Sequence, residues 1–122
     1  MIDLINARIL GVGLKIQEVR WHDPSLGIVG KGWTFNTTSA WRVLGVDGRL
    51  AFAWESNTAD DLKSLVGKSI VSVSSQSPRM TGDPAFELSD GRWLEVFACH
   101  ATDPWVLSLP EMTYVGNPSS ML

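Results

Sequence analysis

Apolar residues in this chain fall mostly at every second position, in short runs separated by Gly, Pro, Asn, Asp and Ser, the spacing of strands and tight turns. Leu10, Val12, Leu14 and Ile16 alternate with Gly11, Gly13 and Lys15, which predicts a half-buried strand with one bare face and a bulge or bend at the glycines. Pro24 fixes its own φ and biases Asp23 away from helix, so a turn follows His22, and residues 27–33 read as a glycine-rich connection or an irregular edge strand. Residues 41–46 and 50–54 predict a hairpin joined through Asp47 and Gly48, with Trp41, Val43, Leu50, Phe52 and Trp54 in phase toward the core. Asp-Gly-Arg recurs at residues 90–92, and two independent hairpins account for the echo.

One helix is expected over residues 58–66, with Asn57 as its cap, Asp60 and Asp61 at its positive end and Gly67 after its last turn. Leu62, Leu65 and Val66 share one face, so it should lie against a sheet with Lys63 and Ser64 outward. Extended structure resumes at 70–73, and 74–84 reads as a polar loop broken by Pro78, Gly82 and Pro84. The last strands are expected at 105–109 and 113–115, divided at Pro110, with 116–122 a frayed tail. The fold class is mainly β with one short helix (α+β): an antiparallel sheet rolled into a partial barrel or folded into a sandwich, the helix closing one side. Residues 1–115 form a single globular domain in this reading.

The segment 86–97 sets the candidate site. An odd-length loop pairs Leu88 with Leu94 and Phe86 with Val96, which gives a wholly apolar inner face. Glu87, Trp93, Glu95 and Phe97 then share the outer face, with Glu87 directly opposite Glu95, and like charges so placed cost stability. A basic residue on a neighbouring strand, or a loop over the rings, would remove that cost. Without either, the four residues form a surface for a partner that is basic and offers apolar contact.

At 122 residues, with 44% hydrophobic and 19% charged, the chain can bury roughly two-thirds of its unfolded surface and fold without metal or disulfide. Ten basic residues against thirteen acidic leave a net charge of -3, without the excess needed to neutralise phosphates, so nucleic acid is not an expected partner. No apolar run approaches the ~18 residues of a membrane helix, and Asp3 interrupts an N-terminus that lacks a basic leader. Neither membrane association nor export is expected. Cys99 is the only cysteine, which suits a reducing cytoplasm.

The apparent chemical motifs have simpler explanations. Gly67-Lys68-Ser69 resembles the end of a phosphate-binding loop, but it leaves a helix for a strand, and Leu62 stands where that loop needs glycine. Cys99 and His100 would point to opposite faces of a strand, and His22 is remote in sequence. A metal set of His22, Asp23, Cys99, His100 and Asp103 would require the two segments to meet. The six tryptophans are expected mostly in the core. No catalytic, metal or cofactor residue is assigned. The leading expectation is a non-enzymatic protein-binding domain; the alternatives are a small-ligand β-barrel with a tryptophan-lined cavity and an enzyme using His22 or His100.

The strand pattern of residues 86–97, followed by Trp105-Val-Leu-Ser-Leu-Pro110, resembles the C-terminal half of small bacterial β-rich proteins, some of them found near toxin genes. The resemblance covers about the last third of the chain and implies a cytoplasmic bacterial protein. Immunity proteins, which bind and neutralise a cognate toxin, are similar in size, acidity and lack of catalytic residues. That resemblance implies a basic toxin domain, encoded by an adjacent gene, as partner.

Overall fold

A computed structural model describes residues 1–99 and 103–118. Its first element is a helix, α1 (Ile2–Ile9), whose Ile2, Ile5 and Ile9 recur at three and four positions and are all buried. Gly11 and Gly13 adopt φ of +84° and +75°, and the Val12 and Gly13 amides both donate to the Ile9 carbonyl. The expected strand over 10–16 therefore shrinks to β1 (Leu14–Lys15), and Leu10 and Val12 are exposed. Their alternation with glycine belongs to a helix exit, not to a pleat.

Two antiparallel sheets pack face to face as a sandwich, and no barrel closes. One contains β2 (Glu18–His22), β3 (Ser25–Gly30), β4 (Trp33–Thr37), β10 (Trp105–Ser108) and β11 (Thr113–Val115), in the order β11-β10-β4-β3-β2. The other contains β1, β5 (Trp41–Leu44), β6 (Leu50–Ala53), β7 (Ser69–Ser77), β8 (Met80–Leu88) and β9 (Trp93–Val96), in the order β1-β7-β8-β9-β5-β6. The chain passes between sheets at Ile16, whose amide donates to Lys68, and Gln17, whose amide donates to Val29. Ring contacts join the layers, with centroids 5.0 Å apart for Phe35 and Phe86 and 5.4 Å for Trp21 and Trp41, both edge-on. Each such side chain withdrawn from water contributes about 1.5–3 kcal/mol before entropy is counted.

Residues 25–30 are not an edge or a loop: β3 is an interior strand between β2 and β4. Its glycine at 30 is required by close approach, because a Cβ there would overlap the Trp33 indole and the Lys15 carbonyl, which are hydrogen bonded at 3.2 Å. The expected polar loop at 74–84 is instead the long β7–β8 hairpin. The register shifts between Ser75 and Ser77, beside Pro84, and the Gln76 side-chain Nε2 donates to the carbonyls of Pro84 (3.3 Å) and Val96 (2.8 Å). An irregular register with side-chain bonds can hold a proline that a regular ladder would reject. A second irregularity between Ile70 and Ser72 re-phases β7, so that Ile70 and Val73, three apart, both point inward.

Helix α1 closes the sandwich along β7: the Asn6 side-chain oxygen accepts the Val73 amide at 2.8 Å, and Arg8 pairs with Glu111 at 3.1 Å. The second helix, α2 (Ala59–Lys63), lies where one was expected but is shorter. Thr58, not Asn57, caps it, through a reciprocal pair in which Thr58 Oγ1 accepts the Asp61 amide (3.1 Å) and the Asp61 carboxylate accepts the Thr58 amide (2.9 Å). Asn57 instead donates to the Ala53 carbonyl. Leu65 is buried and Leu62 packs on the core, but Val66 is exposed because the chain has already left the helix for the turn at Gly67. The tail begins later than expected, since the Gly116 amide donates to the Trp105 carbonyl and Gly116 lies against that indole; residues 119–122 are outside the described range.

Candidate functional site

The β8–β9 hairpin closes on the three residues Ser89, Asp90 and Gly91, an odd-length loop, with Leu88 and Arg92 hydrogen bonded across it. Asp90 Oδ1 accepts the Arg92 amide and Gly91 takes φ +90°; Asp47, Gly48 and Arg49 repeat the same arrangement between β5 and β6. The Arg92 side chain is drawn in, bonding Asp90 (2.8 Å) and the Ser64 hydroxyl and carbonyl at the end of α2. Burial, the largest single influence on the Asp90 carboxyl, pushes its pKa up, but the Arg92 amide, the Arg92 guanidinium and Lys68 together bring it below the usual value.

Phe86, Leu88, Leu94 and Val96 all face the core and are buried, as the apolar inner face requires. The pairing differs from expectation by two residues: Phe86 stands opposite Leu94, Glu87 opposite Trp93 and Ala85 opposite Glu95. The two carboxylates are therefore not directly opposed. Both registers can close on three residues, but the observed one makes Gly91, with its left-handed φ, the last residue of the loop, whereas the expected pairing would have put it in the middle.

Register across the sheet defines two rows on its outer face. Ser72, Glu87, Trp93, Leu44 and Leu50 form the first, and Ser74, Ala85, Glu95, Arg42 and Ala53 the second. Arg42 donates to Glu95 Oε1 at 2.6 Å, with its guanidinium carbon 5.1 Å from the centroid of the Phe97 ring. Ser72 donates to Glu87 at 2.8 Å. The basic neighbour anticipated as the alternative to a binding surface thus exists, and it satisfies Glu95 and Phe97. Among the described residues no basic side chain pairs with Glu87, and Trp93 remains half-buried.

The alternation along residues 41–54 does not mark Leu44, Leu50 or Arg42 as site residues. Leu50 was expected inside, but the register shifts between Val43 and Leu44, so Phe52 faces the core with Val43 while Leu50 turns out beside Leu44 and is 62% exposed. Trp54, also expected inside, lies beyond β6 and is 43% exposed. Trp33, Trp41 and Trp105 are buried and Trp21 packs on the core, so most of the indoles fill the interior.

Of the residues considered for chemistry, His22 and Asp23 lie at the β2–β3 turn, and Cys99 and Asp103 lie between β9 and β10. His22 is exposed at the end of β2, opposite Ser25, Cys99 is exposed just past β9, and His100 lies outside the described residues. Among the described residues no group of three His, Cys, Asp or Glu could hold one metal ion, and no helix is long and apolar enough to cross a membrane. Comparison of the chain with protein-family models, with curated proteins and with solved structures gave no match.

Proposed function

We propose that this is a non-catalytic protein-binding domain whose partner docks on the outer face of the six-stranded sheet. The observation behind this reading is the cross-strand row of Trp93, Leu44 and Leu50, continued by Glu87. Three apolar side chains from three strands make a contact strip, and a half-buried tryptophan between Leu44 and Glu87 is the kind of anchor that carries a large share of interface energy. The occupant is a basic domain, because Glu87 forms no ion pair among the described residues and the whole chain carries -3. In the bacterial cytoplasm this corresponds to an immunity protein occluding a toxin domain encoded by the adjacent gene. Trp93→Ala should weaken binding to that gene product by about 2 kcal/mol or more, mainly through faster dissociation, in surface-based kinetics on the folded variant. Parent-like binding by Trp93→Ala and by Leu50→Ser would remove this face from consideration.

A further inference from the structure

A second surface, built from other elements, joins two clefts into one groove. The clefts, about 420 Å³ and 250 Å³, share Val12, Leu14 and Pro110. Leu14, Trp33 and Pro110 line the larger cleft, and Leu109 extends the smaller one. Val12 is 81% exposed, and the backbone keeps it there: its flanking glycines both have left-handed φ, and two amides in this turn are tied to the Ile9 carbonyl. An apolar side chain held in water by fixed backbone geometry is a standing cost that a covering group would remove.

The charges select the covering group. Lys15 and Lys31 line the larger cleft, and neither forms an ion pair among the described residues, although the chain as a whole is acidic. In the smaller cleft Arg8 is bridged by Glu111, whose side chain is 78% exposed, so an incoming carboxylate could take its place. Both clefts are open to solvent and share one wall, which suits a chain laid across them rather than an engulfed small molecule. We propose that this groove docks an extended peptide segment whose apolar side chains, seated on Leu14, Trp33 and Pro110, alternate with carboxylates that meet Lys15 and Lys31.

The test is fluorescence anisotropy of the full chain with two labelled heptapeptides of identical apolar residues (Leu and Phe), one alternating with Asp and one with Lys. The Asp peptide should bind at least about tenfold more tightly than the Lys peptide, and Lys15→Glu with Lys31→Glu should reverse that order. Both lysines are exposed, so these variants fold, as thermal melting will verify. Val12→Asp should weaken the Asp peptide severalfold, and Trp93→Ala should leave it unchanged, separating this site from the sheet face. Equal binding of the two peptides, binding of neither, sensitivity to Trp93→Ala, or uptake of decanoate without either peptide would each overturn the proposal.

Discussion

The Arg42 guanidinium bonds the Glu95 carboxylate at 2.6 Å while lying 5.1 Å from the centre of the Phe97 ring, so one side chain covers both the charge and the aromatic that its neighbouring strand exposes. Glu95 is mostly buried by this arrangement and Arg42 is partly exposed, which places the pair between a weak surface bridge and a costly buried one. A double-mutant cycle of Arg42→Ala and Glu95→Ala in urea unfolding should give a coupling of about 1 kcal/mol. A coupling indistinguishable from zero would show that the contact is not held in solution.

Leu94 and Trp93 are chain neighbours on opposite faces of β9, and their truncations should separate accordingly. Leu94→Ala opens a cavity between the sheets and should cost roughly 2–5 kcal/mol in urea unfolding. Trp93→Ala leaves the core intact and should cost clearly less. Comparable losses would mean that the Trp93 ring is part of the core.

How far the fold was legible depended on whether period two survived along each segment. Phe86, Leu88, Leu94 and Val96 keep strict alternation, and their inward orientation was readable. Leu50 and Phe52 alternate just as cleanly with respect to sequence, but the shift beside Leu44 sends them to opposite faces, and nothing local announces a bulge. The N-terminal helix carried a signal in Ile2, Ile5 and Ile9 at spacings of three and four, outweighed by the alternation that follows it. For the site, the orientations of Glu87, Trp93 and Glu95 could be read, but their partners could not: Arg42 and Ser72 reach them through strand order, which depends on tertiary packing.

Gly30 and Gly48 carry opposite constraints. A methyl at Gly30 would displace the Trp33 indole from the Lys15 carbonyl inside a packed end of the sandwich, so Gly30→Ala should cost about 3 kcal/mol from overpacking and the lost hydrogen bond. A methyl at Gly48 meets nothing, and only its φ of +82° resists, so Gly48→Ala should cost about 1–2 kcal/mol. Thermal unfolding of the two variants ranks them; the reverse order would contradict the close packing at Gly30.

Asp90 links the hairpin turn to α2 through Arg92, and its carboxyl titrates below its ordinary value of 3.8. A carboxyl depressed in the folded state contributes stability above its unfolded pKa and loses that contribution as pH falls through the folded value. Asp90→Asn keeps an acceptor for the Arg92 amide but removes the charge, so at pH 7 it should be less stable than the parent by an amount on the order of 1 kcal/mol or less. The gap should close as pH falls below the usual carboxylate range. Unfolding curves at pH 7 and pH 3 that differ equally for both proteins would show that the charge is immaterial.

Glu87 and Glu95 lie on the same face of the sheet, but among the described residues only Glu95 of the two has a basic partner, so reversing their charges should have different consequences. Glu95→Lys sets an ammonium against Arg42 and uncovers Phe97, so its main effect should be on stability, a loss of about 1 kcal/mol or more. Glu87→Lys breaks only the hydrogen bond from Ser72, at a half-exposed position, and should leave the unfolding midpoint nearly unchanged. If a basic domain docks on the Trp93 row, however, Glu87→Lys changes the field that the partner meets on approach. It should slow association severalfold at low salt and weaken the dependence of that rate on ionic strength, with little effect on dissociation. Binding kinetics with the adjacent gene product at two salt concentrations, alongside unfolding curves, separate these effects. An association rate unchanged by Glu87→Lys would mean that the carboxylate does not face the partner, and the basic character assigned to that partner would have to be abandoned.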